Sequence, residues 1–510
     1  MFLLPDRGPE RLVLSPSDLR AAAECEYALL RDVDRRLGRL EAHDPEPDPM
    51  HSRLAELGRE HEQDELRRLR AAHPGHGAVV HLPLPDHSET GLAAARDRTL
   101  AALADPTVEV IAQGTVYDGS FVGHIDFLER TPNGWLVSDT KLARAATVSA
   151  LLQVAAYAAT LDGAGVTLAP VARLVLGSGV HEDFRLAEIL PVYRTRRARL
   201  DALVAMREAA DTPLAWGAED IMACGRCDEC ATALEEHDDL LLVAGVWGPT
   251  RRRLIAAGVH TRRELARRTE PVPDLREGVL ERLSAQARLQ LEQLDSGGPL
   301  RHEVVDPAML SMLPPRSEGD IFFDFEGDPM WMERGDPTWG LEYLFGVIEV
   351  DGVAGRGEPT FRAFWAHDRV QERQALVDFI GYLAERRRRW PDLHVYHYAA
   401  YEPSALLRLA ARHGVCEDDV DQLLRDGVFV DLYSVVRGAI RISDRSYSLK
   451  KVESLYRGER DKDGVSEGAA SIVAYHEAVA AREAGRLDEE AERLDEIRRY
   501  NEDDCRSTYQ

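Results

Sequence analysis

The stretch VGHIDFLERTPNGWLVSDTKLA, residues 122–143, decides how the first half of this 510-residue chain folds. Strand-like apolar runs at 121–129 and 134–138 carry or adjoin Asp126, Asp139 and Lys141. Residues two apart on a strand share a face, so Asp139 and Lys141 point the same way, and Asp126 on the adjacent strand can meet them. Two carboxylates so placed suit a hard divalent ion, Mg2+ or Mn2+. Such an ion polarises a phosphate and lowers the pKa of a bound water, while a lysine orients that water or steadies developing charge. Taken alone, the D-x-K spacing also suits an ordinary surface ion pair.

Working outward, helical stretches at 17–42 and 52–72 and a strand-like run at 108–116 come first. A helical pattern at 148–161 and a strand at 171–177 follow. Strands bracketed by helices predict an α/β domain. On the helix after the strands, Gln153 and Tyr157 are four apart and share one face. Upstream, ELGREHEQDELRRL (56–69) offers His61 as a third ligand, or else as an exposed histidine on a polar helix.

At roughly 150 residues per domain, the length predicts about three domains. Lys and Arg number 63 against 89 Asp and Glu, for a net charge of −26. That balance speaks against a generally basic nucleic-acid binder. Charge is local, however: arginines cluster in RTRRARL (194–200), TRRRL (250–254) and ERRRRW (385–390). No apolar run has the length to span a bilayer, and the N-terminal apolar segment is too short for a signal peptide, so the expectation is a cytoplasmic protein with no membrane partner.

Half of the six cysteines fall in CGRCDEC (224–230). In a reducing compartment, clustered cysteines more often bind metal than form disulfides. Three thiolates leave a four-coordinate site one ligand short. Cys25 lies near the other end of the same α/β segment, and using it would tie the segment's ends together. Spacing leaves zinc and an iron–sulfur cluster both open.

Together these residues resemble the RecB-like branch of the PD-(D/E)XK nucleases, specifically its iron–sulfur members, such as the CRISPR-associated exonucleases. The resemblance covers about residues 10–232. His61 matches the early histidine, Asp126 the G-x-x-D element, Asp139 and Lys141 the D-x-K pair, and Gln153 and Tyr157 the Q-x-x-x-Y helix. Cys25, Cys224, Cys227 and Cys230 match a one-plus-three clamp. The resemblance implies that this clamp holds a [4Fe–4S] cluster with a structural role. It also implies that His61, Asp126 and Asp139 bind Mg2+ or Mn2+, with Lys141, Gln153 and Tyr157 as catalytic-site residues.

The second half opens with IFFDFEGDP (321–329), which places Asp324 and Glu326 on one face of an apolar strand. Buried carboxylates are costly uncompensated, and a cation is the simplest compensation. A hairpin is predicted from LEYLFGVIEVDG and PTFRAFWA, a long helix over 369–389, and a strand in DLHVYHY. Near the end, YNEDDC sets Tyr500 and Asp504 four apart on a helical face. This half resembles the DEDD exonucleases of the RNase H-like superfamily, which implies a two-metal 3′→5′ exonuclease. Asp324, Glu326 and Asp504 match metal ligands and Tyr500 a catalytic-site residue. Where that family expects a middle aspartate, this chain has Glu402. Asp431 and YSLKKVE (447–453) also look like later parts of such domains. The departure at Glu402 leaves open a retained but inactive fold.

Between the halves, short helices alternate with glycine turns and resemble a helix-hairpin-helix element, which would meet a phosphate backbone; a plain helical spacer is the alternative. The expected organisation is α/β multidomain. It comprises a PD-(D/E)XK restriction-endonuclease-like domain (1–235), a small helical domain (236–300), a linker (301–318) and an RNase H-like domain (319–510). The whole resembles bacterial RecB-like nucleases with an added RNase H-like domain. In longer members a helicase follows, and the chain's end at Gln510 without a helix stop signal fits the nuclease half of such a protein. DNA, as single strands or ends, is the expected partner, with RNA as a second candidate and a helicase domain or subunit as a third. The competing class is a pair of non-catalytic nuclease folds serving as DNA-binding or assembly modules.

Overall fold

A computed structural model gives the protein's structure and describes residues 1–4, 11–41, 49–333, 338–350, 357–457 and 468–510. The chain forms two compact units, Met1–His237 and Asp238–Gln510.

The first unit begins with strands β1 (Phe2–Leu4) and β2 (Arg11–Val13), then helices α1 (Pro16–Glu24), α2 (Glu26–Arg36) and α3 (Pro49–Ala72). The helix expected over 17–42 is therefore two helices broken at Cys25, which caps α2 in extended conformation; residue 42 lies outside the described residues. Next come β3 (Val79–His81), α4 (Glu89–Ala104), β4 (Val110–Tyr117), β5 (Val122–Thr131), β6 (Gly134–Lys141) and α5 (Val148–Gly163). The unit closes with β7 (Leu168–Leu176), β8 (His181–Arg185), α6 (Leu186–Glu208) and α7 (Asp228–Glu236).

Strands β3 to β8 form one six-stranded sheet in sequence order. The β4–β5–β6 pairs are antiparallel and β6–β7 is parallel, with α5 as the crossover. Thr147 caps α5 by accepting from the Ala150 N–H at 3.2 Å. The alanine-rich helix then packs close on the sheet through Val154, Tyr157, Ala158 and Leu161. Small side chains matter here: a Cβ at Gly123 on β5 would come within 2.5 Å of the Tyr157 ring. On the other side of α5, Leu152, Ala155 and Ala156 join a cluster with α1, α2 and α6.

The second unit starts with α8 (Gly248–Ala256), α9 (Arg262–Arg267) and α10 (Glu277–Ser296). Leu254, Val259, Leu265, Leu280, Leu283 and Ala287 give these helices a core of their own. The stretch expected as a linker is ordered in part. It holds strand β9 (His302–Val304) and a 3-10 turn at Pro307–Met312. The pairing that orders β9 comes from far along the chain.

There follow β10 (Ile321–Met332), β11 (Trp339–Val350), β12 (Pro359–Trp365), α11 (Arg369–Arg389), β13 (Val395–His397), α12 (Tyr401–His413) and α13 (Glu417–Arg425). Then come β14 (Phe429–Asp431), α14 (Leu432–Ala439), β15 (Ile440–Ile442), α15 (Leu449–Val452), α16 (Gly468–Glu483) and α17 (Leu487–Tyr509). Strand β15 pairs antiparallel with β9, and Gln286 of α10 donates to the Ile442 carbonyl at 2.8 Å. The main sheet runs β12-β11-β10-β13-β14, antiparallel through β12–β11–β10 and parallel beyond. The expected hairpin is β11–β12, whose connection at 351–356 lies outside the described residues.

The strand period of two divides β10 cleanly. Ile321, Phe323 and Phe325 enter a core with Phe379 and Leu383 of α11 and Leu406 and Leu409 of α12. Asp324 and Glu326 face the opposite way, toward α17. Among the described residues no helix is long and apolar enough to cross a membrane.

Candidate metal centres

In the first unit the antiparallel register pairs Phe127 with Ser138 and so sets Asp126 abreast of Asp139. Asp139 is fully buried, and the Lys141 ammonium lies against its Oδ2. Gln153 Nε2 donates to Asp139 Oδ1 at 3.2 Å and to the Tyr157 hydroxyl at 2.7 Å. Asp126 Oδ2 accepts from the Thr140 N–H at 2.8 Å and the Thr140 hydroxyl at 2.7 Å. Burial pushes the Asp139 carboxyl up to about 7; the Asp126 charge adds to the rise and Lys141 opposes it. Asp126, Asp139, Lys141, Gln153 and Tyr157 thus lie together in one patch.

His61 stands differently. Its Nε2 lies 3.1 Å from the Val175 carbonyl of β7. Its neighbour Glu62 instead feels the site: burial raises its pKa, Asp126 adds to that, and Gln113 and Lys141 oppose it. Glu62 was not singled out by sequence, because an acid beside a histidine on a polar helix carries no periodic signal. A groove of about 910 Å3 opens onto this patch, lined by Lys141, Gln153, Tyr157, Arg20, Arg36 and His87.

The four cysteines gather into one site whose sulfurs all lie within 4.8 Å of one another. Cys25 Sγ is 3.5 Å from Cys230 Sγ, and Cys224 Sγ is 3.9 Å from Cys230 Sγ. Backbone N–H groups aim at them: Ala28 and Cys224 donate to Cys25 at 3.4 Å each, and Cys227 donates to Cys224 at 3.3 Å. Burial would raise the Cys224 thiol, but N–H groups of Arg226 and Cys227 bring it down to about 7. An all-thiol donor set with no carboxylate fits zinc or an iron–sulfur cluster. The sulfur spacing matches the edge of a single zinc tetrahedron, about 3.8 Å. A four-iron cluster requires the thiolates to swing apart, and a cavity of about 370 Å3 adjoins Cys25, Cys224 and Cys227. Ion pairs position the clamp. Glu229 of α7 meets Arg31 and Arg35 of α2. Glu26 accepts from Arg199 and from the Met222 N–H.

In the second unit, Asp324 and Glu326 of β10 and Asp504 of α17 bring carboxylate oxygens within 4.8 Å of one another. Glu326 is buried, while Asp324 and Asp504 are partly open to solvent. Burial, with Asp504 adding, pushes Glu326 up to about 8; Ser471, Asn501 and Lys450 oppose this. Burial also raises Asp324 well above the usual carboxylate range, reinforced by Asp504, Glu326 and Glu402. Three carboxylates this close, two of them raised with Asp504 adding to both, are suited to a cation. Tyr500 is buried beside Asp504, and the Lys450 ammonium sits 5.0 Å from its ring centre.

Glu402, at the start of α12, is buried and reaches Asp324. It stands outside the tight group of three, and its Oε2 is 3.2 Å from His397 Nδ1. Asp431 is further off in role: it accepts from the Ala399 and Tyr433 N–H groups and caps α14. Sequence reading also missed Asn501. It is fully buried and donates to Asp324 Oδ2 at 2.9 Å. Its neighbour in space is Gly346 of β11, paired directly with Asp324.

Among the described residues, the four cysteines and the Asp324–Glu326–Asp504 group bring three or more ligand atoms this close; His61, Asp126 and Asp139 do not. Comparison with family models matches one nuclease superfamily to a segment of each unit. Residues 13–232 match the PD-(D/E)XK nuclease superfamily and residues 321–510 match the RNase H superfamily. No curated protein matches the chain.

Proposed function

We propose that this protein is a metal-dependent DNA nuclease with two hydrolytic sites and a structural [4Fe–4S] cluster. Two nuclease-superfamily domains in one chain support phosphodiester hydrolysis. The observation that carries the reading furthest is the close group of three carboxylates on β10 and α17, with Asp324 and Glu326 raised by burial and by the nearby Asp504.

Asp126 and Asp139, with Glu62 or His61, would hold Mg2+ or Mn2+ in the first domain; Asp324, Glu326, Asp504 and Glu402 would do so in the second. A bound divalent ion supplies an activated water and stabilises charge on the phosphate. The protein's own groups do the rest. Lys141 neutralises Asp139 and stands ready to meet phosphate charge. Gln153 fixes the Asp139 carboxylate through Oδ1 and is itself held by Tyr157. In the second site Asn501 orients Asp324, and Tyr500 stands beside Asp504, where its hydroxyl can orient a water. The first domain would degrade single strands or ends, its groove receiving the backbone at Arg20 and Arg36. The second would act as a 3′→5′ exonuclease. A helicase domain or subunit would supply unwound strands, in repair or in defence against phage.

The test uses end-labelled strands with Mg2+ or Mn2+ and four proteins: the parent, Asp139→Ala, Asp324→Ala and the double variant. Each single variant is expected to lose one cleavage pattern and the double variant both. Parental cleavage by the double variant refutes both assignments. Loss confined to Asp139→Ala leaves the second domain as a binding module.

A further inference from the structure

The second unit carries a groove that neither metal site uses. It lies between the middle helices and the β15 end of the RNase H-like fold and measures about 640 Å3. Arg253 of α8, Arg276 and Arg282 at the start of α10, and Arg437 of α14 all line it. The side chains of Arg253, Arg276 and Arg282 are exposed and take no hydrogen bond or ion pair among the described residues. Arg437 leans on Tyr433 of its own helix, a neutral partner. Against these four guanidinium groups the lining offers one carboxylate among the described residues, Asp274. A chain with net charge −26 has abundant acids to pair with arginines, yet here it leaves three unpaired in one concavity. Clustered like charges repel one another, and a polyanion relieves that repulsion.

At the same groove stands Trp247, 64% exposed at the N-cap of α8. A large indole held in water beside guanidinium groups is the pairing that binds nucleotides without reading sequence: cations follow the backbone and an aromatic face takes a base. A duplex keeps its base faces stacked inside, whereas a single strand presents them.

We propose that this groove binds a single strand of nucleic acid, with Arg253, Arg276, Arg282 and Arg437 on the phosphates and Trp247 stacked on a base. The inference rests on the nuclease reading for the identity of the polyanion. Its test is kept separate from turnover. The full chain in EDTA is titrated into labelled oligothymidylate, oligouridylate and a blunt DNA duplex, and anisotropy is followed across a range of salt. For single strands the logarithm of affinity falls with the logarithm of salt by about 0.7 per phosphate contacted. The triple variant Arg253→Ala, Arg276→Ala, Arg282→Ala should therefore bind at least about tenfold more weakly, with a slope shallower by about 2. The corresponding triple lysine variant should keep the slope, which controls for folding. Trp247→Ala should lose about tenfold on either single strand and nothing on the duplex.

Unchanged affinity and slope in the triple alanine variant overturn the groove. So does duplex binding as tight as single-strand binding, or equal competition by polyglutamate. Restoring Mn2+ separates the two readings. Strands that are bound through these residues but never cut refute the nuclease; strands cut normally and bound independently of these residues refute the groove.

Discussion

Replacing Gly346 with alanine should disable the second site without touching any carboxylate. Gly346 pairs with Asp324 across β10 and β11, so its new methyl group would rise on the carboxylate face. Its backbone is not among the left-handed residues, so alanine is allowed there. The obstacle is Asn501: an added Cβ would lie 1.6 Å from its Oδ1, where real contacts stay at 3.0 Å or more. The amide must retreat by about 1.4 Å, the difference between those two distances. Asn501 is fully buried in α17, three positions before Asp504. It can rotate and break its bond to Asp324, or α17 can shift and carry Asp504 outward. A misplacement of about 1 Å in a catalytic group costs on the order of a hundredfold in rate. Overpacking of this kind costs about 1–3 kcal/mol of stability. The assay is 3′→5′ cleavage by Gly346→Ala in the Asp139→Ala background, with Mn2+ binding followed by thermal shift. Activity should fall about a hundredfold, and adding Asn501→Ala should recover part of it by making room. Parental cleavage and Mn2+ binding in the glycine variant would refute the argument that this close approach positions the site.

Further outcomes follow from other contacts. Cys25→Ser should abolish metal loading and lower the melting temperature of the first unit; metal analysis of anaerobic protein finding stoichiometric zinc and no iron would replace the cluster with an ion. Glu372 is fully buried among Arg369, Arg412 and His413, and Glu372→Gln should cost about 3 kcal/mol near neutral pH by breaking that group. Against burial, which raises it, His413, the Glu342 N–H and Arg412 hold Glu372 below the ordinary 4.5. Its stabilisation is therefore present above that value and lost as pH falls through the lowered one. Urea midpoints of parent and variant should accordingly converge in acid, and a constant gap down to low pH would count against it. Glu402→Asp withdraws the carboxylate from both Asp324 and His397, so second-site cleavage should drop about tenfold with either metal; a gain with Mg2+ would show that glutamate merely weakens a site built for aspartate.

The residues that sequence reading placed well are those set by local periodicity. Asp139 and Lys141 share a strand face, Gln153 and Tyr157 share a helix face, and each pair meets in the structure. CGRCDEC pointed to a metal site by density alone, and in the structure a distant fourth cysteine lies with the other three. What escaped depends on contacts made across long separations. Glu62 comes near Asp126 only because α3 lies over the sheet. Asn501 matters only because a glycine on β11 leaves space for it. The ordered strand at 302–304 has a partner 138 positions away at its central residue pair, where Glu303 meets Arg441, and nothing in RHEVVDP foretells that. The break at Cys25 interrupts a stretch of good helix formers at a residue whose sulfur caps α2 and meets Cys224 and Cys230, contacts that the local sequence does not show.

The distance along the chain between those two halves of the clamp has a consequence for how the protein is made. Cys25 and Cys224 are 199 positions apart. At about 5–20 residues per second, Cys25 leaves the ribosome roughly 10–40 s before its partners are synthesised. During that interval it is a lone thiol on a nascent segment, and α1 and α2 have no α7 to close against. A metal held by all four cysteines could load only after nearly the whole first domain has emerged, closing a loop of 205 positions between Cys25 and Cys230. If the clamp holds the proposed cluster, newly made chains, rather than mature ones, are where iron starvation or oxidative stress would take its toll.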